Sequence, residues 1–502
     1  MSRPWWDGSV IYEIYPRAFA DANGDQVGDL PGAVGHLDHV GPHGLDVDAV
    51  WLTPFFPSGG VDGGYDVTDY TAVAPEYGTL ADVDRLVARA HERGVRVLLD
   101  LVVGHTSDRH PWFVAARSSR ADPHRSWYLW ADSRPGGGPP TNWVAEFGGP
   151  AWTEDAVTGQ WFHHSFYRAQ PDLNWRSPAV RSAMADVMRF WLDRGVDGFR
   201  VDAIQYTVKD RRLRDNPPAR PPRPPWSPEP GGLRRRWSLD QRGVAGVIRG
   251  LRRVADAYPE AVLLGELYAP AQRVAAALGG TRADGFHLAM AHQIADGPWD
   301  AGAFRRAIAA AERHLPPPLA PTWAFSNHDR SRSASRWGLE RARLAALVLL
   351  TLRGAVCLYQ GEEIGMLDDA RPGPWSTHDP YGRDKARAPF DWSEAARQQA
   401  DPTSLLALYR ELIRLRRRSP ALRHGTLRML AGQPPGVVAY ERRAGRERLL
   451  VVANMADHPV RIQLPAGSRP EAVLGTAFDR PPYLAGNRLD LMAGEGVILR
   501  VG

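Results

Sequence analysis

The sequence predicts an α/β protein: a parallel (β/α)8 barrel with a small subdomain inserted after the third strand and an antiparallel β-sandwich domain at its C-terminal end. Three observations predict it. Eight short runs rich in β-branched, aliphatic and aromatic residues recur over about the first four hundred positions. Amphipathic helical stretches fall between most of them, at 79–93, 178–194, 240–257, 302–314 and 341–353. From about residue 430 the helical pattern stops, and only short strands follow. Strands alternating with helices over such a length are the pattern of a TIM barrel.

In order, the strand runs are "SVIYEIYP" (9–16), "VDAVWLTP" (47–54), "VRVLLDLVV" (95–103) and "VDGFRVDA" (196–203), then "AVLLGELY" (261–268), "DGFHLAM" (284–290), "TWAFSNHD" (322–329) and "GAVCLYQGEE" (354–363). Between the third and fourth lies an irregular stretch rich in Trp, His, Gly and Pro, which sets a subdomain at 105–170 and the barrel at 1–104 and 171–428. After the fourth, residues 209–237 carry so many Pro and Arg that neither a regular helix nor a central strand fits. This stretch reads either as a solvated loop or as a lid over the barrel mouth. The tail strands "VVAYERR", "RLLVVANM", "VRIQL" and "GVILRVG" define a β domain at 429–502.

Composition narrows the function. With 43% hydrophobic and 24% charged residues the chain is an ordinary globular protein. The 18 Trp suggest flat apolar surfaces for a ring-shaped ligand, or core filling. The lone Cys357 excludes an intrachain disulfide and a cysteine-based zinc site, and reads as a buried structural thiol. No secretion signal and no apolar run of membrane length stand in the sequence, so a cytoplasmic protein is expected, with no membrane partner. The net charge of +5 does not argue for a nucleic-acid partner: of 62 basic residues only Lys209 and Lys385 are lysine, a bias of the whole chain toward Arg.

The chemistry stands at the strand ends. In such a barrel, side chains at the C-terminal ends of the strands converge on one mouth. Strand three leads to His105, with Asp100 within it; strand four carries Arg200 and Asp202; strand five carries Glu266; strand seven leads to His328 and Asp329. Residues i and i+2 of a strand share a face, so Arg200 and Asp202 project together. Buried charges are costly unless paired, and so many on apolar strands point to a site. Three carboxylates with an Arg and two His suit glycosidic-bond cleavage, which needs one carboxylic acid and one carboxylate. Arg200 is expected to lower the pKa of Asp202 and keep it a nucleophile, and an apolar setting to raise that of Glu266 and make it the acid.

These residues resemble glycoside hydrolase family 13, the α-amylase family, over nearly the whole chain: "DLVVGH" (100–105), "GFRVD" (198–202), "GEL" (265–267) and "NHD" (327–329). Within it, "DANGDQVGDLPG" (21–32), "QPDLN" (170–174), "YQGEEIGM" (359–366) and "GRDKARAPFDW" (382–392) resemble the oligo-1,6-glucosidase and α-glucosidase group. The resemblance implies Asp202 as nucleophile, Glu266 as acid/base and Asp329 as the third carboxylate, which holds sugar hydroxyls. It implies hydroxyl contacts from His105 and His328, orientation of Asp202 by Arg200, and a stacking face on Tyr65. It also implies that Asp62 and Arg387 close the far end of the pocket. A pocket closed there takes one terminal glucose of a short α-glucoside, so the implied activity is that of an exo-acting retaining α-glucosidase. A glucosyl-transferring enzyme or isomerase is the alternative with the same chemistry. "RSRSASRWG" after "NHD" looks like the glucosidases.

Asp21, Asn23, Asp25 and Asp29, with the carbonyl of Val27, place oxygen at alternate positions, a pattern that suits a hard cation. With the resemblance, a structural calcium or magnesium ion is expected there, and no organic cofactor. Ala203, after the nucleophile, stands where α-1,6 specialists of the group resemble each other in having Val, and this leans the expectation toward α-1,4 bonds. Gly104 replaces the Asn usual before His105, which leaves a more flexible backbone there, and Gly64 replaces a bulkier residue, which is expected to open the pocket.

Overall fold

All eight predicted strands form, each shorter than its apolar run: β1 Val10–Ile14, β2 Ala49–Leu52, β3 Arg96–Leu101, β4 Gly198–Val201, β5 Val262–Gly265, β6 Leu288–Ala291, β7 Thr322–Ala324 and β8 Ala355–Tyr359. They pair in parallel and in chain order, and β8 closes on β1. The computed structural model describes residues 3–219, 232–371, 373–377, 379, 381–465, 469–478 and 483–501. The runs outlast the strands because the chain continues past the ladder into the loops at the barrel mouth. There stand His105, Asp202, Glu266 and Asp329, one to five residues beyond the strand ends.

Alternation along the strands sorts side chains into two layers. Ile11, Trp51, Leu98, Val262, Leu264, Met290, Ala324 and Cys357 fill the barrel interior, with Trp5 and Trp6 packed against them. The opposite faces, such as Val50, Leu99, Phe199 and Leu263, meet the surrounding helices. Gly198 marks a close approach between strands: at φ +145, a Cβ there would stand 2.0 Å from the carbonyl oxygen of Val262. The five predicted helices form as Leu80–His91, Pro178–Asp193, Val244–Ala255, Ala301–His314 and Ala342–Thr351. Pro178 opens the second of them, where the missing N–H costs nothing.

The insert holds a helix, Pro111–Ser118, and a three-stranded antiparallel sheet of Trp130–Ala131, Gln160–His163 and Trp152–Asp155. The tail is two antiparallel sheets, one of five strands and one of three, with Val437, Ala439, Val452, Ile462, Leu489 and Leu499 buried between them. The stacking of the two sheets is the predicted sandwich. Its first strand, Thr426–Met429, starts three residues before the predicted boundary at 429, directly after Gly425 ends the helix Pro420–His424. No helix among the described residues is long and apolar enough to cross a membrane.

Candidate active site

Register brings the charges together. Asp100 on β3 and Arg200 on β4 are directly paired across the ladder. Past the strand ends, the Asp202 N–H donates to Leu101 O at 3.1 Å and the Glu266 N–H to Val201 O at 3.0 Å, so the two catalytic candidates stand side by side on neighbouring strands. Arg200 lies at the centre, fully buried. Its Nη1 donates to both Asp100 oxygens at 2.9 and 3.0 Å and to Asp202 Oδ1 at 2.8 Å, while its Nη2 lies 2.6 Å from Glu266 Oε1. Beneath, the guanidinium rests on the Trp51 ring, 4.9 Å from its centroid.

One cation among three carboxylates changes the expected electrostatics. Burial pushes the pKa of Asp202 well above its ordinary value; Glu266, Asp100 and Asp329 push the same way, and Arg200 opposes them. The sequence reading assigned Arg200 the deciding effect, in the other direction. It is overturned because the guanidinium is shared and the site is buried. Glu266 likewise lacks the apolar setting expected of it: it meets Arg200, and its Oε2 accepts the Ala203 N–H at 3.0 Å. Ala203 reaches that position in a left-handed conformation, φ +38.

Asp329 has the opposite surroundings. Burial alone would raise its pKa, but His328, Arg383 and Arg387 hold it well below the usual carboxylate range. Its Oδ1 accepts from Arg387 Nη2 at 2.8 Å and Arg383 Nη1 at 3.2 Å, and its Oδ2 lies 3.2 Å from His328 Nε2.

The mouth encloses a cavity of about 250 Å³ lined by Asp62, Tyr65, His105, Asp202, Glu266 and Asp329. That is below the roughly 300–1,000 Å³ of a drug-sized site. Arg200, His328 and Arg387, also predicted as site residues, stand behind the lining and act through the carboxylates they touch. The arginine that meets Asp62 is Arg383, not Arg387: Arg383 Nη2 donates to Asp62 Oδ1 at 2.6 Å and to Asp379 Oδ1 at 2.7 Å. Both arginines lie in "GRDKARAPFDW", and only the turn of Arg383–Lys385 decides which one faces the cavity. Gln170 of "QPDLN" was missed as a contact; its Nε2 donates to Asp62 Oδ2 at 2.8 Å and lies 3.0 Å from His105 Nε2.

Phe147, Phe166, Tyr206 and Tyr268 also line the cavity. Among the described residues no Trp lines it; Trp51, Trp143, Trp191 and Trp323 are core residues. The Arg/Pro stretch reaches the cavity through Arg235, which pairs with Glu146 and donates to the Tyr206 hydroxyl at 2.8 Å. Its residues 220–231, where a lid or a solvated loop was expected, lie outside the described residues. Gly64 does not open the pocket: at φ +102, with Pro54 O 2.9 Å from a would-be Cβ, it serves the backbone. At Gly104 a Cβ would meet nothing within 4 Å.

In the loop after β1, Asp21 accepts the N–H groups of Asn23, Gly24 and Gln26, Asn23 that of Asp25, and Asp25 that of Val27. Asp29 caps a helix by accepting the Gly32 N–H at 2.6 Å. The donors are all oxygen, the right chemistry for calcium or magnesium. Their carboxylates are nevertheless turned onto backbone N–H groups. Among the described residues, no group of three or more His, Cys, Asp or Glu is placed to hold a metal ion.

Comparison with known proteins agrees with this geometry. The chain is 39% identical to a probable α-glucosidase of Rhizobium meliloti, over 95% of this chain and 94% of that one. It is 32% identical to an oligo-1,6-glucosidase of Halalkalibacterium halodurans, over 93% of each. Among solved structures it resembles the α-glucosyl transfer enzyme XgtA, with a TM-score of 0.91, 36% identity and 100% of both chains covered. It also resembles the trehalulose synthase MutB of Pseudomonas mesoacidophila, with a TM-score of 0.88, 30% identity and the same coverage. Residues 13–425 match the α-amylase catalytic-domain model, and the chain belongs to the α-amylase family.

Proposed function

We propose that the protein is an exo-acting, retaining α-glucosidase that releases α-glucose from the nonreducing end of short α-glucosides. The observation that carries this reading is a small cavity lined by three carboxylates, with Arg383 in its wall joining Asp62 to Asp329. Asp202 attacks the anomeric carbon while Glu266 protonates the leaving oxygen. Glu266 then takes a proton from water, whose oxygen displaces Asp202, and two inversions give retention. Asp202 attacks as the anion, the form Arg200 favours, while burial and the neighbouring Glu266, Asp100 and Asp329 push it toward the neutral form. Asp329, anionic throughout, binds sugar hydroxyls; His105 and Asp62 bind others; Tyr65 offers its ring face. Ala203, small and at the cavity wall, leaves room for an α-1,4-linked partner.

Glucosyl transfer is the second reading, favoured by the aromatic residues of the lining, on which an acceptor sugar can rest, and by the likeness to a glucosyl-transfer enzyme. Proton NMR of maltose, isomaltose and sucrose digests, beside an Asp202→Asn control, separates these. α-Glucose appearing first from maltose, and absent in the control, is expected. New glucosides at high sugar concentration would select transfer, and full activity in Asp202→Asn would refute both readings.

The reading is of a cytoplasmic enzyme whose loop 21–29 binds a structural calcium or magnesium ion through Asp21, Asn23, Asp25, Val27 and Asp29, outside the reaction path. The support is the donor chemistry. A rise in thermal midpoint with added calcium, abolished in Asp25→Ala, is expected; no rise with either ion would refute it.

A further inference from the structure

Glu13 is the fourth of the five residues of β1, fully buried in the barrel, and has no part in the reaction derived above. Its Oε1 is 2.5 Å from His328 Nδ1 and accepts the His328 backbone N–H at 3.3 Å. On the other edge of the ring, Nε2 is 2.8 Å from the Tyr65 hydroxyl and 3.2 Å from Asp329 Oδ2. The Tyr65 hydroxyl donates its one proton to Asp100 Oδ2 at 2.9 Å. Toward His328 it can therefore only accept, as a carboxylate can only accept. Both ring nitrogens face acceptors, and an imidazole donates from both only when it is cationic.

We propose that Glu13 is a positioning residue that keeps His328 doubly protonated, and that this imidazolium in turn holds Asp329 anionic and the Tyr65 ring in place against the sugar. The inference rests on the glucosidase reading for its activity readout.

The charges around the ring agree. Glu13 comes from β1, Tyr65 from the loop after β2, Asp100 from β3, and Asp329 follows His328 itself. Of opposite sign, Arg387 donates through Nε to the His328 carbonyl at 2.9 Å, and Arg200 stands beyond Tyr65, 3.5 Å from its hydroxyl. Burial pulls the His328 pKa down, but Asp329 and Glu13 outweigh it and raise it to about 9. The imidazolium is then present at neutral pH and is lost as pH rises through about 9.

The test is the pH dependence of kcat/KM on p-nitrophenyl α-glucoside for the wild type and Glu13→Gln, with 15N NMR of selectively labelled His in the wild type. The His328 signal is assigned by its loss in His328→Gln. Removal of one of two anions is expected to move the alkaline limb of Glu13→Gln down by about one unit or more, with activity recovered toward acid pH. An unmoved limb in folded Glu13→Gln would overturn the proposal. If that variant does not fold, the wild-type spectrum decides: a neutral His328 ring at pH 7 overturns it, and two protonated nitrogens support it. Neither result depends on which α-glucoside is the substrate, whereas activity surviving in Asp202→Asn would sink the glucosidase reading alone.

Discussion

Arg200→Lys keeps the charge at the centre of the site and removes its shape. The guanidinium serves Asp100, Asp202 and Glu266 from two terminal nitrogens, at 2.6 to 3.0 Å. A single ammonium nitrogen on an unbranched stem cannot occupy both positions. At least one charge-assisted contact is lost, a cost of about 1.5–3 kcal/mol. If that contact orients Asp202 in the transition state, kcat/KM falls about 10- to 150-fold. The pH profile gives the sharper sign. Asp202 attacks as the anion, and its pKa is already raised by burial and by neighbouring carboxylates against the pull of Arg200. Weakening that pull raises it further, so the acid limb moves to higher pH and the loss is largest in acid. The assay is initial-rate hydrolysis of p-nitrophenyl α-glucoside across the pH range, beside a thermal melt that confirms folding. Activity within about twofold of wild type, with an unmoved acid limb, would refute the assignment of Arg200 as the organiser of this cluster.

Arg383→Met should raise KM for maltose strongly, because it removes the partner of both Asp62 and Asp329, while Arg387→Met should act mainly on kcat through Asp329; steady-state kinetics with the reverse split would restore the assignment made from the sequence. Lys209 and Asp172, each almost fully buried and 2.9 Å apart, form an ion pair beside the site. Lys209→Met leaves Asp172 with His163 and Ser165 only, and should cost about 3–5 kcal/mol of stability, read as a lowered denaturation midpoint. Cys357 is enclosed in the barrel and burial pushes its thiol pKa up, so a chromogenic disulfide reagent should find no thiol in the native protein and one per chain after denaturation.

The barrel was legible because its strands are apolar on both faces and its helices on one, patterns that survive without knowledge of contacts. The three carboxylates were legible for a related reason: a charge at the end of such a strand has few explanations. What escaped was anything decided by a turn or by sharing. Arg383 and Arg387 are four residues apart in one loop, and the helical turn between them, not their order, selects the one that faces Asp62. Glu13 sits in a strand of apolar neighbours and has no sequence signal; its partner His328 is 315 positions away. Arg200 acts on Asp202 with the expected sign, but the net shift runs the other way because the sequence places two residues together and is silent on the third and fourth. Ladder register supplies Asp100, and the adjacent strand supplies Glu266.

Two aspartates on one rim, pushed in opposite directions, assign the proton. Asp329 has His328, Arg383 and Arg387 beside it, which hold its pKa well below the usual carboxylate range although it is partly buried. Asp202 shares one cation with Asp100 and Glu266 and is pushed toward the neutral form. A proton added to the cluster therefore goes to the carboxylates around Arg200 before Asp329. Groups that interact this closely titrate as a set, so the acid limb of activity reports the cluster and not one residue. Glycoside cleavage needs a proton on Glu266 at the moment Asp202 attacks, and both carboxylates contact the same guanidinium. Asp329 is held by two arginines while the reacting pair shares one, and this difference sets the third carboxylate apart as the binding group.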